Sequence, residues 1–421
     1  MEPDKPTSFS VVNDCFALPP GVDWTAVDEA LATIRSYLVP IVGVEKQGLA
    51  QALGRVLAEP VMALRSNPPC ANSAVDGYGF WGPVGDGPKS MLLVGGRAAA
   101  GKPFQDTVPP GQAIRILTGA SLPHGVDTVV LDEQVQKLGS IITFDGPIKR
   151  YTNTRKAGED VVAGRIVIKS GRCLTAADVG LATAVGVSEV TLRKRLRVAI
   201  VSTGNELVET GLPVNFDQIY DVNRPMLKAL VSRFGFEVID IGKVSDNRSD
   251  LRQALDLASK TADLILVSGG ASAGDEDHVS ALLHESGALK EWRIAVKPGR
   301  PLAFGLWNTK PIFGLPGNPV AAFVCSLIFV WPAMNLRAGR GWTVPSAFNV
   351  PSGFSKSKKA GRREYLRARM RDGKVDVFES EGSGRVSGLS WAEGLVELCE
   401  NAQTIHVGDT VRFIPYSSFG L

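Results

Sequence analysis

Residues 263–277 read D-L-I-L-V-S-G-G-A-S-A-G-D-E-D, and several of these residue types can do chemistry. A short apolar run at 264–267 breaks into Ser268, Gly269 and Gly270, followed by Gly274 and the acids Asp275, Glu276 and Asp277. Glycines after a strand let backbone N–H groups come close to a phosphate. Carboxylates just beyond them suit a divalent cation or a polar ligand. The carboxyl end of a strand is also where α/β sheets take their ligands. The bland alternative is a tight strand-to-helix turn that needs glycine for its backbone angles.

Three more loops share this character. Ser202, Thr203, Gly204, Asn205 and Glu206 follow a strand-like run and offer hydroxyls, an amide and a carboxylate. Their bland reading is a cap, with Asn205 and Glu206 satisfying the next helix. Lys297-Pro298-Gly299-Arg300-Pro301 sets two cations on a stiffened backbone, which holds phosphate with little entropy lost. Gly314-Leu315-Pro316-Gly317-Asn318-Pro319 precedes an apolar run and would present amides at a helix N-terminus. Placed on the ends of successive strands, the four loops describe a pocket for a large, phosphorylated, polar ligand. None of them is a Walker loop or a dinucleotide fingerprint. In the front half, Asp76 precedes a glycine and Thr118 sits in L-T-G-A; on spacing alone they read as a turn former and a cap.

The elements that must position these loops follow from pattern. From residue 195, strand-like runs at 197–202, 237–242, 264–267 and 311–314 alternate with helical spacing at 223–234, 250–261, 278–285 and 321–334. That alternation predicts a parallel sheet covered on both faces. Residues 23–39 have helical spacing of Val27, Leu31, Ile34 and Leu38, with Asp23 or Thr25 as N-cap. Short β-rich pieces between Gly/Pro turns (90–94, 112–117, 128–131, 141–144) predict a mostly β insertion. The expected fold is multidomain α/β plus β. It has a flexible tail (1–22), a helical/β linker domain (23–60 and 150–194) and an inserted mostly β domain (61–149). A central parallel-sheet α/β domain (195–340) and a small all-β C-terminal domain (341–421) complete it.

The totals exclude several classes. At 421 residues, more than one domain is expected, and a formal charge of +3 argues for no particular partner. Cys15, Cys70, Cys173, Cys325 and Cys399 form no C-x-x-C pair, which points to reduced thiols and a cytoplasmic protein. The four histidines are scattered and make no zinc motif. No signal peptide is visible at the N-terminus. The apolar run at 321–334 is interrupted by Pro332 and short of the ~20 residues a membrane span needs, so it reads as a buried helix. Eight cations lie between Lys356 and Arg371, but without interleaved aromatics they read as a solvated face or an anion attractor rather than a nucleic-acid site.

Taken together, the motifs resemble the MoeA-type molybdopterin molybdenumtransferases, relatives of the gephyrin E domain. The pieces are N-S-A-V-D-G-Y (72–78), L-T-G-A (117–120), G-E-D-V-V-A-G (158–164), S-T-G-N-E-L (202–207) and I-Y-D-V-N (219–223). S-G-G-A-S-A-G-D-E-D (268–277), K-P-G-R-P (297–301) and G-L-P-G-N-P (314–319) follow in the family's order. The resemblance covers roughly residues 23 to 415. It implies insertion of molybdate into adenylylated molybdopterin with release of AMP, in the presence of Mg²⁺. It also implies a homodimer with a shared active cleft, and as partners the molybdopterin adenylyltransferase and downstream cofactor-maturation proteins.

By motif, Asp76, Thr118, Asp160, Glu206, Asp246 and Asp277 match family functional positions, with Glu206 and Asp277 as the Mg²⁺ pair. Ser202, Thr203, Gly204, Ser268, Gly269, Gly270, Gly274, Asp275, Lys297, Arg300, Pro316, Gly317, Asn318 and Pro319 are the implied substrate binders. Arg367 and Ser387 match more loosely. The chain departs from the pattern at Asn205, where an acid is common, at Arg293, where lysine is common, and at Ala271 and Ala273. Two alternatives stay open: a non-catalytic molybdopterin-binding scaffold, and a molybdopterin adenylyltransferase. The front β domain with Asp76 and Thr118 argues against the latter.

Overall fold

The structure, a computed structural model, describes residues 24–269, 278–285, 289–291, 293–299 and 302–421. It divides into two compact units, one of residues Val44–Arg193 and one of Met1–Gly43 with Lys194–Leu421.

The Val44–Arg193 unit is built on short strands, as its Gly/Pro punctuation predicts. Its main sheet runs in the order Thr128–Leu131, Gly77–Phe80, Gln112–Ile116, Val84–Ala98, Ile141–Ile148, Gln136–Leu138. Phe80, Ile142 and Phe144 pack on one another in its core, with the Phe80 and Phe144 rings stacked at 5.4 Å. Outside that sheet, Val44–Gly48 pairs antiparallel with Glu189–Arg193. The helix Ala176–Ala184 opens with a capping box: Thr175 Oγ1 accepts from the Asp178 N–H while Asp178 accepts from Thr175.

The second unit holds the α/β sheet, in the order Glu237–Val244, Arg197–Thr203, Leu264–Ser268, Lys310–Leu315, Ala303–Trp307, Leu289–Glu291. The first four strands are parallel. Ala303–Trp307 runs antiparallel to both of its neighbours, so the sheet is mixed where the alternation of strands and helices predicts an all-parallel one. Side chains alternate across the strands. Val198, Ile200, Leu264, Leu266, Phe313 and Leu315 face the helices Val27–Ser36 and Asn223–Arg233 and the buried helical run at 319–337. Ala199, Val201, Ile265, Val267 and Ile312 face the helices Arg248–Thr261 and His278–Glu285. Both faces are therefore apolar, which is why the strands read as continuous hydrophobic runs.

The run Pro319–Arg337 is the one helix, among the described residues, long and apolar enough to cross a membrane; most of it is buried in this core. Its middle, Ser326–Val330, is wound as a π-helix. The C-terminal sheet (Val296–Lys297, Arg363–Arg371, Gly394–Leu398, Thr410–Pro415, Phe348–Pro351) packs on the same core through Tyr365, Leu395, Ile414 and Phe419.

Two local expectations fail. The first helix begins at Val27 after Ala26, which gives no side-chain cap; Thr25 instead bridges to Ile294. No helix follows Glu206 directly, since the chain passes into the short strand Leu207–Val208, so the cap reading of Asn205 and Glu206 does not hold.

Candidate functional site

Register brings three of the four loops together. Ser202 lies opposite Ser268, and Ser268 opposite Leu315, so the chain leaves three adjacent parallel strands at one edge of the sheet. A cavity of about 560 Å³ opens there, lined by Thr203, Glu206, Ser268, Gly269, Gly317, Asn318 and Pro319 among others. Gly269 has φ +92°, and a Cβ there would lie 2.2 Å from the Thr203 carbonyl oxygen, so only glycine fits. Pro316 is buried at the turn, while Gly317 and Asn318 are exposed. Pro319 starts the helix, where its missing N–H costs nothing.

Around this mouth the polar groups are fixed to one another. The Thr203 hydroxyl donates to Asp246. The Asn205 N–H donates to Asp246 Oδ2 at 3.3 Å, and the Asp246 N–H returns a bond to Asn205 Oδ1 at 3.3 Å. An amide at 205 thus supplies the acceptor without a second negative charge beside Asp246. The exposed Glu206 carboxylate folds back over Gly204, where a Cβ would lie 2.8 Å from Oε2. Ser202 is buried, and its hydroxyl has no partner among the described residues.

Two further residues in the cavity wall, Asp221 and Asn223, are missed as site residues by the sequence reading, although I-Y-D-V-N was a visible motif. Asn223 Nδ2 donates to Ser268 Oγ at 2.8 Å and to the Gly317 carbonyl at 2.7 Å, which ties two of the loops together. Asp221 Oδ1 accepts from the Arg224 N–H at 3.0 Å and so steadies the helix start. Asp221 Oδ2 and Asn223 Oδ1 are buried with no partner among the described residues. Buried acceptors left open ask for a donor, from water or from a ligand. Ile219 and Tyr220 supply an apolar wall beside them.

The fourth loop is placed differently. Lys297 ends a short strand that pairs parallel with Arg363–Arg371, so it belongs to the C-terminal sheet and not to the row of α/β strand ends. Its ammonium lies 3.3 Å from Glu364 Oε1 and 2.7 Å from Glu381 Oε2. Lys356 contacts the same two carboxylates. Burial pushes the Glu381 pKa up, but the hydrogen bonds and charges of Lys297 and Lys356 outweigh it and hold the carboxyl below its ordinary value. Arg367 is almost fully buried, and that burial lowers its pKa. Its guanidinium donates to the carbonyls of Ser380, Gly382 (3.2 Å) and Arg385 (2.7 Å) and lies over the Phe378 ring. Arg367 therefore fixes the segment whose Gly384 and Val386 line the strand-end cavity. Ser387 is exposed at the start of the helix Ser387–Trp391.

In the Val44–Arg193 unit, Asp76 Oδ1 accepts from the Thr118 hydroxyl at 2.6 Å and from the Thr118 N–H at 2.7 Å. The hydroxyl bond first, and the N–H bond second, lower the Asp76 pKa. Both residues are exposed, so the pair presents a held carboxylate at the surface rather than a buried turn. Asp160 is exposed and accepts from Asn67 Nδ2 at 3.0 Å. Gly270, Gly274, Asp275, Asp277 and Arg300 lie outside the described residues. Among the described residues, no group of three or more His, Cys, Asp or Glu side chains is placed to hold a metal. Glu206 and the open Asp221 oxygen are still the hard oxygen donors that Mg²⁺ prefers.

A doubly covered α/β sheet with glycine turns, carboxylates and open acceptors around a cavity at its strand ends, joined to β modules, defines a multidomain α/β plus β protein. Comparison with known proteins narrows this. Residues 25–186 match the MoeA N-terminal region (domain I and II), 199–335 a probable molybdopterin binding domain, and 349–416 the MoeA C-terminal region (domain IV). The chain is 35% identical over 399 residues to a molybdopterin molybdenumtransferase of Haemophilus influenzae, covering 93% of this chain and 98% of that one. It is 32% identical over 398 residues to molybdopterin molybdenumtransferase 2 of Mycobacterium tuberculosis, covering 92% and 96%. A crystal structure of the molybdopterin biosynthesis moeA protein of Pyrococcus horikoshii superposes with a TM-score of 0.82 at 27% identity, covering 94% of this chain and 100% of that one. The chain belongs to the MoeA-type molybdopterin molybdenumtransferase family, and its function lies in molybdenum cofactor biosynthesis.

Proposed function

We propose that this protein inserts molybdate into adenylylated molybdopterin and releases AMP, giving the molybdenum-loaded pterin. The observation that carries the reading is the strand-end cavity, with the open acceptors Asp221 Oδ2 and Asn223 Oδ1, inside the segment that matches a molybdopterin binding domain. The backbone at Gly269 and Gly317 receives phosphate oxygens. Asp221 and Asn223 accept from ring or amino N–H groups of the ligand, and Tyr220 and Ile219 cover a flat ring.

In this reading Glu206 orients the water that attacks the phosphoric anhydride; the P–O bond to the pterin phosphate breaks and AMP leaves. Mg²⁺, held by Glu206 and Asp277, would supply electrostatic stabilisation of the departing phosphate. Asp246 keeps Thr203 and the Asn205 backbone in place. Thr118, through its hydroxyl and its N–H, holds the Asp76 carboxylate in place as an acceptor. The protein acts in the cytoplasm as a homodimer and takes its substrate from the molybdopterin adenylyltransferase.

The test is a turnover assay with purified protein, adenylylated molybdopterin, Mg²⁺ and molybdate. Molybdate-dependent AMP release is the expected result. Tight pterin binding without AMP release would sink the enzymatic reading.

A further inference from the structure

We infer that Arg115 and Asp132 are a positioning pair for Asp76: together they fix the backbone that carries the Asp76 carboxylate, and Asp132 keeps the Arg115 guanidinium from closing onto that carboxylate. This rests on the insertion reading only for the task that Asp76 performs.

All of these groups lie in the Val44–Arg193 unit. Arg115 stands on the strand Gln112–Ile116, directly across from Tyr78 on the strand Gly77–Phe80. Its guanidinium lies 5.0 Å over the Tyr78 ring, and Nη1 donates to the Gly77 carbonyl at 3.3 Å. The same fork grips Asp132 at both oxygens, with Nη1 2.7 Å from Oδ1 and Nη2 2.8 Å from Oδ2. Asp132 in turn donates its backbone N–H to the Asp76 carbonyl at 3.1 Å. Asp76, Gly77 and Tyr78 are therefore all held by one ion pair. The other neighbouring strand confines the same backbone, since a Cβ on Gly77 would lie 1.9 Å from the Val130 carbonyl oxygen.

As a brace alone the pair would do little. The Arg115 and Asp132 side chains are 28% and 44% exposed, and ion pairs this accessible add little to stability. Its contacts suit the aiming of a carboxylate. Thr118 occupies Asp76 Oδ1 with two donors, and no donor among the described residues reaches Oδ2. That open oxygen is the one left to accept from a ligand. An unoccupied guanidinium beside it would close on it as a salt bridge and end that role. Asp132 fills both prongs of the fork, so Arg115 acts on the Asp76 carboxylate through its field and not through a bond. The Thr118 hydroxyl and then its N–H hold the Asp76 carboxyl below its ordinary value, and the Arg115 charge adds to them.

The experiment is a carboxyl-carbon NMR titration of the full chain labelled at aspartate, with the Asp76 signal assigned by its loss in Asp76→Asn. Arg115→Met removes the attracting charge and leaves Asp132 unpaired, so the Asp76 pKa should rise. Asp132→Asn keeps the backbone N–H but releases the guanidinium toward Asp76, so the Asp76 pKa should fall. A mere brace would loosen alike in both variants and shift Asp76 in one direction. In the insertion assay both variants should lose about ten- to a hundredfold in kcat with KM little changed. Arg115→Lys keeps the charge and loses the fork, so it should restore the Asp76 pKa without restoring kcat. Shifts of the same sign, an unchanged Asp76 pKa in both variants, or full turnover in both overturns the inference. If Arg115→Met does not fold, Asp132→Asn decides alone, and the absence of a fall there overturns it. The titration needs no substrate. A wild type that releases no AMP would sink the insertion reaction and leave the pair standing, whereas shifts of one sign would sink the pair and leave the insertion reaction standing.

Discussion

Single residues at the strand ends carry constraints that can be tested one at a time. Gly269→Ala forces a Cβ into the Thr203 carbonyl and a left-handed backbone onto alanine. Strain of this kind costs about 1–3 kcal/mol, and the adjustment that relieves it must move Thr203 or Gly269 in the cavity wall. A lower urea midpoint together with weakened ligand binding is expected; an unchanged midpoint would show that the close approach is not tight. Asp76 offers a titration that requires no substrate. Its carboxyl is held low chiefly by the Thr118 hydroxyl. Thr118→Val removes that bond and keeps the backbone N–H, so the Asp76 pKa should rise toward the ordinary value while remaining below it. An NMR titration of the carboxyl carbon reads the change, and an unaltered pKa would break the assignment. Asp221 and Asn223 escape the sequence reading for a physical reason. An Asp two residues before an Asn at a helix start looks like a capping pair, and Asp221 does cap. Only burial reveals that each also leaves an acceptor open to the cavity.

At the scale of elements, much was legible. The apolar runs at 197–202 and 264–267 are strands because both faces of the sheet are covered, and the helices between them follow their 3.6-residue spacing. The antiparallel strand Ala303–Trp307 was not legible, because its short A-F-G-L-W run follows a Pro/Gly loop with no helix between to mark a crossover. The Lys297 loop reads as another strand end of the α/β sheet because the two-residue strand Val296–Lys297, which pairs with the C-terminal sheet, is too short to show in the sequence. Arg367 shows how one element positions another. Its fork satisfies three carbonyls of the 380–385 segment, which a lysine cannot do. Arg367→Lys should cost about 1.5–3 kcal/mol and raise hydrogen exchange at Gly382 and Arg385 selectively; a uniform change across the C-terminal sheet would argue against this role. Asp240 joins the strand Glu237–Val244 to the helix Asn223–Arg233 through Arg224 and Lys228. The Arg224 hydrogen bonds first, and Lys228 next, lower its pKa from 3.8 to about 2. Because the folded value is the lower one, the stabilisation is full above about pH 4 and is lost as pH falls toward 2. Solvent screening limits it to about 1 kcal/mol. Asp240→Asn should flatten the stability profile between pH 4 and 2, and a slope equal to that of wild type there would place the acid sensitivity elsewhere.

At the scale of the whole molecule, the held carboxylate at Asp76 belongs to the Val44–Arg193 unit and the strand-end cavity to the other. The proposed homodimer, in which each cleft draws one unit from each chain, makes a quantitative claim about mixtures. Take Asp76→Asn and Glu206→Gln, each expected to be inactive alone. Random exchange of subunits gives mixed dimers as half of the population. In a mixed dimer one cleft carries both substitutions, and the other carries neither. The mixture should therefore recover about a quarter of wild-type turnover per cleft. Clefts built from a single chain predict no recovery, because every cleft then carries one substitution. Incubating the two variants at equal concentration until exchange is complete, then measuring molybdate-dependent AMP release, separates the cases. Recovery near a quarter would support the shared cleft. Turnover that stays at the level of the separate variants, with exchange verified by differently tagged chains, would assign each active site to one polypeptide.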